Sequence, residues 1–148
     1  MDKTAFVRKM QVSDVNAVLE IEQASFCSEA WSYDSFITDI ISERRLCLVL
    51  ENAGKILGYM VLDILENEYD LLKIAIDIKH RKMGYATILM NYIKEYSINT
   101  CIEKISLLVR QSNLSAQALY KKMGFTEIVI RKHAYPDGEN GIFMCTKA

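Results

Sequence analysis

Apolar and polar positions along this chain follow two alternating rhythms, and the points where the rhythm changes divide it into elements. Residues 5–10 predict a first strand. Ala17, Val18, Ile21 and Ala24 then recur at helical spacing behind Ser13, which can cap such a helix. Ser32 is placed to cap a second helix running to about residue 41. Residues 46–51 and 56–66 predict a hairpin around Asn52-Ala53-Gly54, with glycine supplying the left-handed conformation of the turn. Residues 71–78 are β-branched and almost continuously apolar, as a buried strand is. Helical spacing returns with Ala86, Leu89, Met90 and Ile93 at i, i+3, i+4 and i+7. Residues 105–110 predict another strand, and Ala116, Leu119, Tyr120 and Met123 one face of a helix that Gly124-Phe125 ends. Two last strands are expected at 127–131 and 142–146. Antiparallel pairs come first and a strand–helix–strand unit later, which predicts an α+β fold. The expectation is a single domain over residues 1–148 with a mixed, mostly antiparallel sheet of six to seven strands and about four flanking helices. The strand after the Gly84 helix should lie parallel to the one before it.

Composition narrows the function classes. A length of 148 residues allows a core that needs neither disulfide nor metal, and a hydrophobic content of 51% with one proline describes an ordinary globular chain. The net charge of −1 offers no broad attraction to a polyanion, so general nucleic-acid binding is not expected. Apolar runs are strand-sized and the first residues lack an apolar signal core, which predicts a cytoplasmic protein without a membrane span. Cys27, Cys47, Cys101 and Cys145 form no C-x-x-C pair and have no histidine at ligand spacing, so reduced thiols and no metal site are expected.

The chemistry begins at Arg81-Lys82-Met83-Gly84-Tyr85-Ala86, a basic turn with a glycine between an apolar strand and an amphipathic helix. The unpaired amides and positive dipole end of such a helix favour phosphate. Neither G-x-G-x-x-G nor G-K-[ST] occurs here, which excludes dinucleotide and nucleoside-triphosphate readings of this turn. Downstream stands N-x-x-A-x-x-L-Y-x-x-x-G-F, from Asn113 to Phe125. The strand, the R-x-x-G-x-A turn, the helix, the next strand and this second motif together resemble the GNAT superfamily of acetyl-CoA-dependent N-acetyltransferases. The stretch from Phe26 to Phe36 with Trp31-Ser32, and the run Arg131 to Pro136 followed by Gly141-Ile142-Phe143-Met144, are similar to its branch of ribosomal-protein alanine N-acetyltransferases, the RimI-like enzymes.

The resemblance implies acetyl-CoA as donor, a protein N-terminus such as that of a ribosomal protein as acceptor, and a monomer or dimer. Backbone groups of Ile74, Ala75 and Ile76 would hold the pantetheine arm as an added strand and supply an oxyanion donor. Amides of Lys82, Met83, Gly84, Tyr85, Ala86 and Thr87, with the charges of Arg81 and Lys82, would hold the pyrophosphate. Asn113 either caps its helix or contacts the cofactor arm, or does both. Tyr120 matches the family's general acid and cofactor contact, although an aromatic on an apolar helix face is ordinarily core. Phe26, Trp31, His133 and Tyr135 would line the acceptor site, with Cys27 in the same loop.

The general base departs from the branch. Where that branch reads L-E-V-R this chain reads Leu107-Leu108-Val109-Arg110, and leucine accepts no proton. Glu68 and Asp70, just before the central strand, are the substitutes expected, with His133 and Tyr135 next. Ala134 and Asn140-Gly141 also depart from the branch in the hairpin that shapes the peptide site. An α-amine, with pKa about 8, is roughly one-tenth neutral at pH 7, whereas a lysine amine near 10.4 needs about 3 kcal/mol more assistance. An acceptor α-amine therefore suits this chain. The alternatives are a small-molecule or lysine amine acetyltransferase, and a non-catalytic acyl-CoA-binding module.

Overall fold

The computed structural model describes residues 4–147. Seven strands, β1 (Phe6–Lys9), β2 (Arg45–Asn52), β3 (Lys55–Ile64), β4 (Glu68–Ile76), β5 (Lys104–Arg110), β6 (Thr126–Arg131) and β7 (Gly141–Lys147), form one sheet in the order β1-β2-β3-β4-β5-β7-β6. Every neighbouring pair is antiparallel except β4 and β5, which run parallel across α3 (Tyr85–Asn99) as expected. The other helices are α1 (Val15–Phe26), α2 (Tyr33–Ile41) and α4 (Leu114–Lys122).

Helices cover both faces of the sheet. From β2, Leu46, Leu48 and Leu50 join Leu89, Met90 and Ile93 of α3 in one cluster, while Cys47 and Val49 join Val15, Val18 and Phe36 of α1 and α2 in the other. A strand covered on both faces has no polar side to show, hence its unbroken apolar sequence. Each fully buried leucine contributes roughly 1.5–3 kcal/mol of transfer free energy.

Three boundaries differ from the sequence reading. Ser13 is not the cap of α1: a 3-10 turn, Val12–Asp14, intervenes, and the Asp14 carboxylate accepts the Gln11 N–H at 2.7 Å and the Arg8 guanidinium at 2.8 and 2.9 Å. The buried stripe of α1 is Val15, Val18, Ile21 and Glu22, whereas Ala17 and Ala24 are exposed, because alanine has little surface to gain by burial. β4 starts at Glu68 and ends at Ile76, so Glu68 and Asp70 lie inside the strand. The Ser32 cap holds, with its hydroxyl accepting the Ser35 N–H at 3.1 Å. In the β2–β3 hairpin both Ala53 (φ 52°) and Gly54 (φ 79°) are left-handed, the requirement of a two-residue type I′ turn.

What positions the site is a divergence. The parallel β4–β5 ladder runs from Glu68↔Lys104 to Leu71↔Leu107 and stops. Beyond it, β4 stays with β3 as far as Gly58↔Ile76, and β5 stays with β7 as far as Arg110↔Gly141. A register shift in the β3–β4 pairing at Leu72 marks the fork. Gly58 allows the close approach there, since a Cβ on it would lie 2.6 Å from Ile76 Cδ1 and 2.8 Å from the Ala75 carbonyl.

Among the described residues no helix is long and apolar enough to cross a membrane.

Candidate active site

Two cavities meet at the fork. The first, about 640 Å³, follows the free edge of β4 to the start of α3 and is lined by Ile74, Ala75, Ile76, His80, Arg81, Lys82, Gly84, Tyr85, Ala86, Thr87, Asn113 and Tyr120, among others. Its turn is built by two left-handed residues, Lys82 (φ 63°) and Gly84 (φ 83°). Glycine adopts that conformation without strain and directly precedes the helix. The Ile88 N–H returns to the Gly84 carbonyl at 3.3 Å, so the amides of Tyr85, Ala86 and Thr87 come before the first turn's bonds close. They are free to bind an anion.

Arg81 does a different job from the one its charge suggests. Its Nε donates to the Ile76 carbonyl at 3.1 Å and its terminal nitrogen to Ser25 Oγ at 3.0 Å, tying the turn to β4 and α1. Met83 is half-exposed and does not line the cavity. Asn113 takes the cap role, accepting the Ala116 N–H at 3.2 Å, while lining both cavities.

The second cavity, about 540 Å³, opens between the α1–α2 segment and the β6–β7 loop and includes Phe26, Glu29, Trp31, Lys73, Leu108, Arg110, Tyr120, Tyr135 and Asp137. Tyr120 is buried on α4 with Phe125 against it, ring centroids 5.8 Å apart. Burial, and then the nearby Tyr135, push its phenol up to about 12. Among the described residues its hydroxyl has no protein hydrogen-bond partner. The phenol thus stays protonated and available as a donor.

Beneath this cavity lies a charged group that the sequence reading missed. Glu22 is fully buried, accepts the Trp31 N–H at 2.7 Å, and is bonded by the Tyr59 hydroxyl and the Lys73 ammonium. Lys73 Nζ lies 4.2 Å from the centroid of Phe26 and 4.3 Å from that of Trp31, between two rings that attract a cation. Desolvation lowers the Lys73 pKa against the opposing pull of Glu22. Phe26 and Trp31 line this second cavity with one face of each committed to lysine. A glutamate in an apolar helix stripe and a lysine in an apolar strand were the available signal, since each buried charge demands the other.

The expected bases are placed less favourably. Glu68 and Asp70 share the Ser106 hydroxyl, at 2.6 and 3.3 Å, and line neither cavity. Burial raises the Asp70 pKa, with Ser106 opposing. Asp70 is four residues before Ile74, about 13 Å along an extended strand. His133 is left-handed (φ 54°), with Nδ1 3.1 Å from the Gly138 carbonyl, and it too lines neither cavity. Cys27 caps the C-terminus of α1, exposed and outside both cavities. The carboxylates that do line the second cavity are Glu29 and Asp137. Tyr135 lies there too, its ring 4.2 Å from the Arg110 guanidinium.

Comparison with known proteins finds relatives over nearly the whole chain. A profile of the acetyltransferase (GNAT) family matches residues 15–125. A Bacillus subtilis (strain 168) protein, provisionally named a ribosomal protein bS18-alanine N-acetyltransferase, is 35% identical over 97% of this chain and 96% of its own length. The ribosomal protein bS18-alanine N-acetyltransferase of Escherichia coli (strain K12) is 30% identical over 93% of this chain and 94% of its own. The crystal structure of the ribosomal-protein-S18-alanine N-acetyltransferase from Escherichia coli superposes with a TM-score of 0.88 at 29% identity, covering 97% of this chain and 93% of that one.

Proposed function

The chain belongs to the acetyltransferase (GNAT) family, and from that premise we propose that it transfers acetyl from acetyl-CoA to the N-terminal α-amine of a protein, of the ribosomal-protein alanine type. One observation carries the proposal. Ser25, Phe26, Ile74, Asn113 and Tyr120 border both cavities, so the route along β4 and the route between the two loops converge on one phenol.

The roles follow from position. Ala75 turns its backbone groups to β3, so the free edge is the N–H and C=O of Ile74 and the N–H of Ile76, whose carbonyl Arg81 holds; these pair with the pantetheine amides and supply a backbone N–H for the oxygen on which negative charge develops. The amides of Lys82 to Thr87, Met83 included, hold the pyrophosphate, with Lys82 adding charge and Arg81 bracing the turn. Acetyl-CoA supplies the activated acyl group; the chain aligns it and manages two protons.

Tyr120 serves the departing sulfur. A phenol at about 12 facing a thiol of about 8.5 is uphill for complete proton transfer by roughly 5 kcal/mol. Its contribution is therefore a hydrogen bond to the developing thiolate, with the proton following from the attacking amine. Glu68 and Asp70 can accept that amine's proton only through a chain of water, which an α-amine, already partly neutral, tolerates. Supported by the same features, a non-catalytic acyl-CoA-binding module stays as the second reading because of Leu108.

Incubation with acetyl-CoA and a library of N-terminal peptides, reading thiol release and the modified nitrogen together, tests the proposal. Acetyl on the first residue's nitrogen is expected. Modification of lysine side chains alone would overturn the acceptor assignment, and tight coenzyme A binding without transfer would favour the second reading.

A further inference from the structure

The walls of the acceptor cavity come from segments far apart in the chain, and one guanidinium joins them. Arg110, at the end of β5, donates to Glu29 at 2.7 Å across 81 residues of sequence. Its other terminal nitrogen donates to Asp137 at 2.8 Å and Glu139 at 2.9 Å, both on the β6–β7 loop. Its carbon lies 4.2 Å from the centroid of the Tyr135 ring. Glu139 extends the junction by accepting the Ser112 N–H at 2.7 Å, one residue before the cap of α4.

Two features separate this junction from an ordinary surface network. Three carboxylates converge on one cation, so two negative charges are in excess at the mouth. Without the guanidinium the three anions would repel and part the loops. Arg110 also sits two residues beyond Leu108 on the same face of β5, where the leucine offers no anion to an amine. The junction supplies from neighbouring loops what the strand lacks.

We propose that Arg110 is a positioning residue for the acceptor: it holds Glu29 and the Tyr135–Asp137 segment together as the wall of the amine's entry and leaves surplus carboxylate charge to receive an ammonium. This rests on the acetyltransferase reading above.

Magnitudes make the role testable. These ion pairs are partly exposed, and such pairs contribute about 0–1 kcal/mol each to folding. A purely structural part therefore predicts little change of any kind on substitution. A positioning part predicts a selective loss in acceptor binding.

The experiment is steady-state kinetics on R110Q and R110K with acetyl-CoA and a peptide beginning with alanine, at low and high salt, with thermal unfolding alongside. R110Q should raise the peptide KM by about tenfold or more through lost positioning, leave the acetyl-CoA KM within about twofold and kcat within about threefold, and leave the salt dependence of the peptide KM at least as steep, since three uncompensated carboxylates remain at the mouth. R110K, which keeps the charge but loses the fork, should fall between wild type and R110Q. Equal rises in both KM values, or an unchanged peptide KM in R110Q, would overturn the proposal while the wild-type activity stood. Should the wild type acetylate no peptide, the functional reading falls first and takes this one with it. If R110Q does not fold, the same selective KM rise in R110K supports the proposal and its absence overturns it.

Discussion

Glu22→Ala would strip the cleft floor of the one group on which the Trp31 N–H, the Tyr59 hydroxyl and the Lys73 ammonium converge. Glu22 is 0% exposed, and the Lys73 side chain 9%. Removing one partner of a buried ion pair costs about 3–5 kcal/mol. The lysine has an escape that bounds its share. Released from Glu22, whose bond and charge both raise its pKa, it can lose its proton, and neutralising it at pH 7 costs at most about 5 kcal/mol from a reference of 10.4. The orphaned N–H and O–H add about 1–3 kcal/mol each where water cannot reach them. A total of roughly 5–11 kcal/mol is expected, comparable with the 5–15 kcal/mol that holds a typical domain. At about 2–4 °C per kcal/mol for a chain of this size, that lowers Tm by roughly 10–40 °C. The double variant Glu22→Gln/Lys73→Met keeps an oxygen acceptor and removes both charges, so it should recover to within about 2 kcal/mol of wild type. Urea unfolding followed by circular dichroism on Glu22→Gln, Lys73→Met and the double variant closes the cycle. Additive losses, or a cost below about 1.5 kcal/mol for Glu22→Ala, would show that the buried pair is not the organising contact of the floor.

Tyr120→Phe should lower turnover by about 10- to 1000-fold with acetyl-CoA affinity nearly unchanged, as measured by single-turnover kinetics and calorimetry. Because burial pushes this phenol up to about 12, it remains protonated where an ordinary tyrosine would have lost half its protons. The rate should rise as the acceptor amine deprotonates near pH 8 and then stay level to about pH 10; a falling limb centred near 10 would remove Tyr120 from the role. Gly58→Ala places a methyl 2.8 Å from the Ala75 carbonyl, a backbone atom that cannot swing aside. A loss of about 1–3 kcal/mol and a raised acetyl-CoA KM are expected from differential scanning fluorimetry and initial rates.

How much of this was legible in the sequence depended on the reach of each interaction. The stripe Leu89, Met90 and Ile93 buried as its spacing required, and Gly54 took the left-handed conformation expected of its hairpin turn. Ser32 capped its helix because that bond is closed within three residues. The hidden features were all bonded across the fold: Glu22 to Tyr59 and Lys73, Ser106 to Glu68 and Asp70, and Arg110 to Glu29. Their polar side chains broke the apolar pattern without naming a partner. The start of β4 was missed for the same reason, since Glu68 and Asp70 read as a solvated turn until Ser106 faces them. Arg81 was legible as a charge near the turn, but the structure spends that charge on Ile76 and Ser25.

The fork between β4 and β5 means that the polypeptide stops short of completing its own sheet after Leu71 and Leu107. A donor lying in the gap is then a missing rung as well as a reagent, and rungs bear weight. By mass action, a ligand at a hundredfold excess over its Kd adds about 2.7 kcal/mol to the folded state. Supply of the acetyl carrier would thus set this protein's margin against unfolding as well as its output.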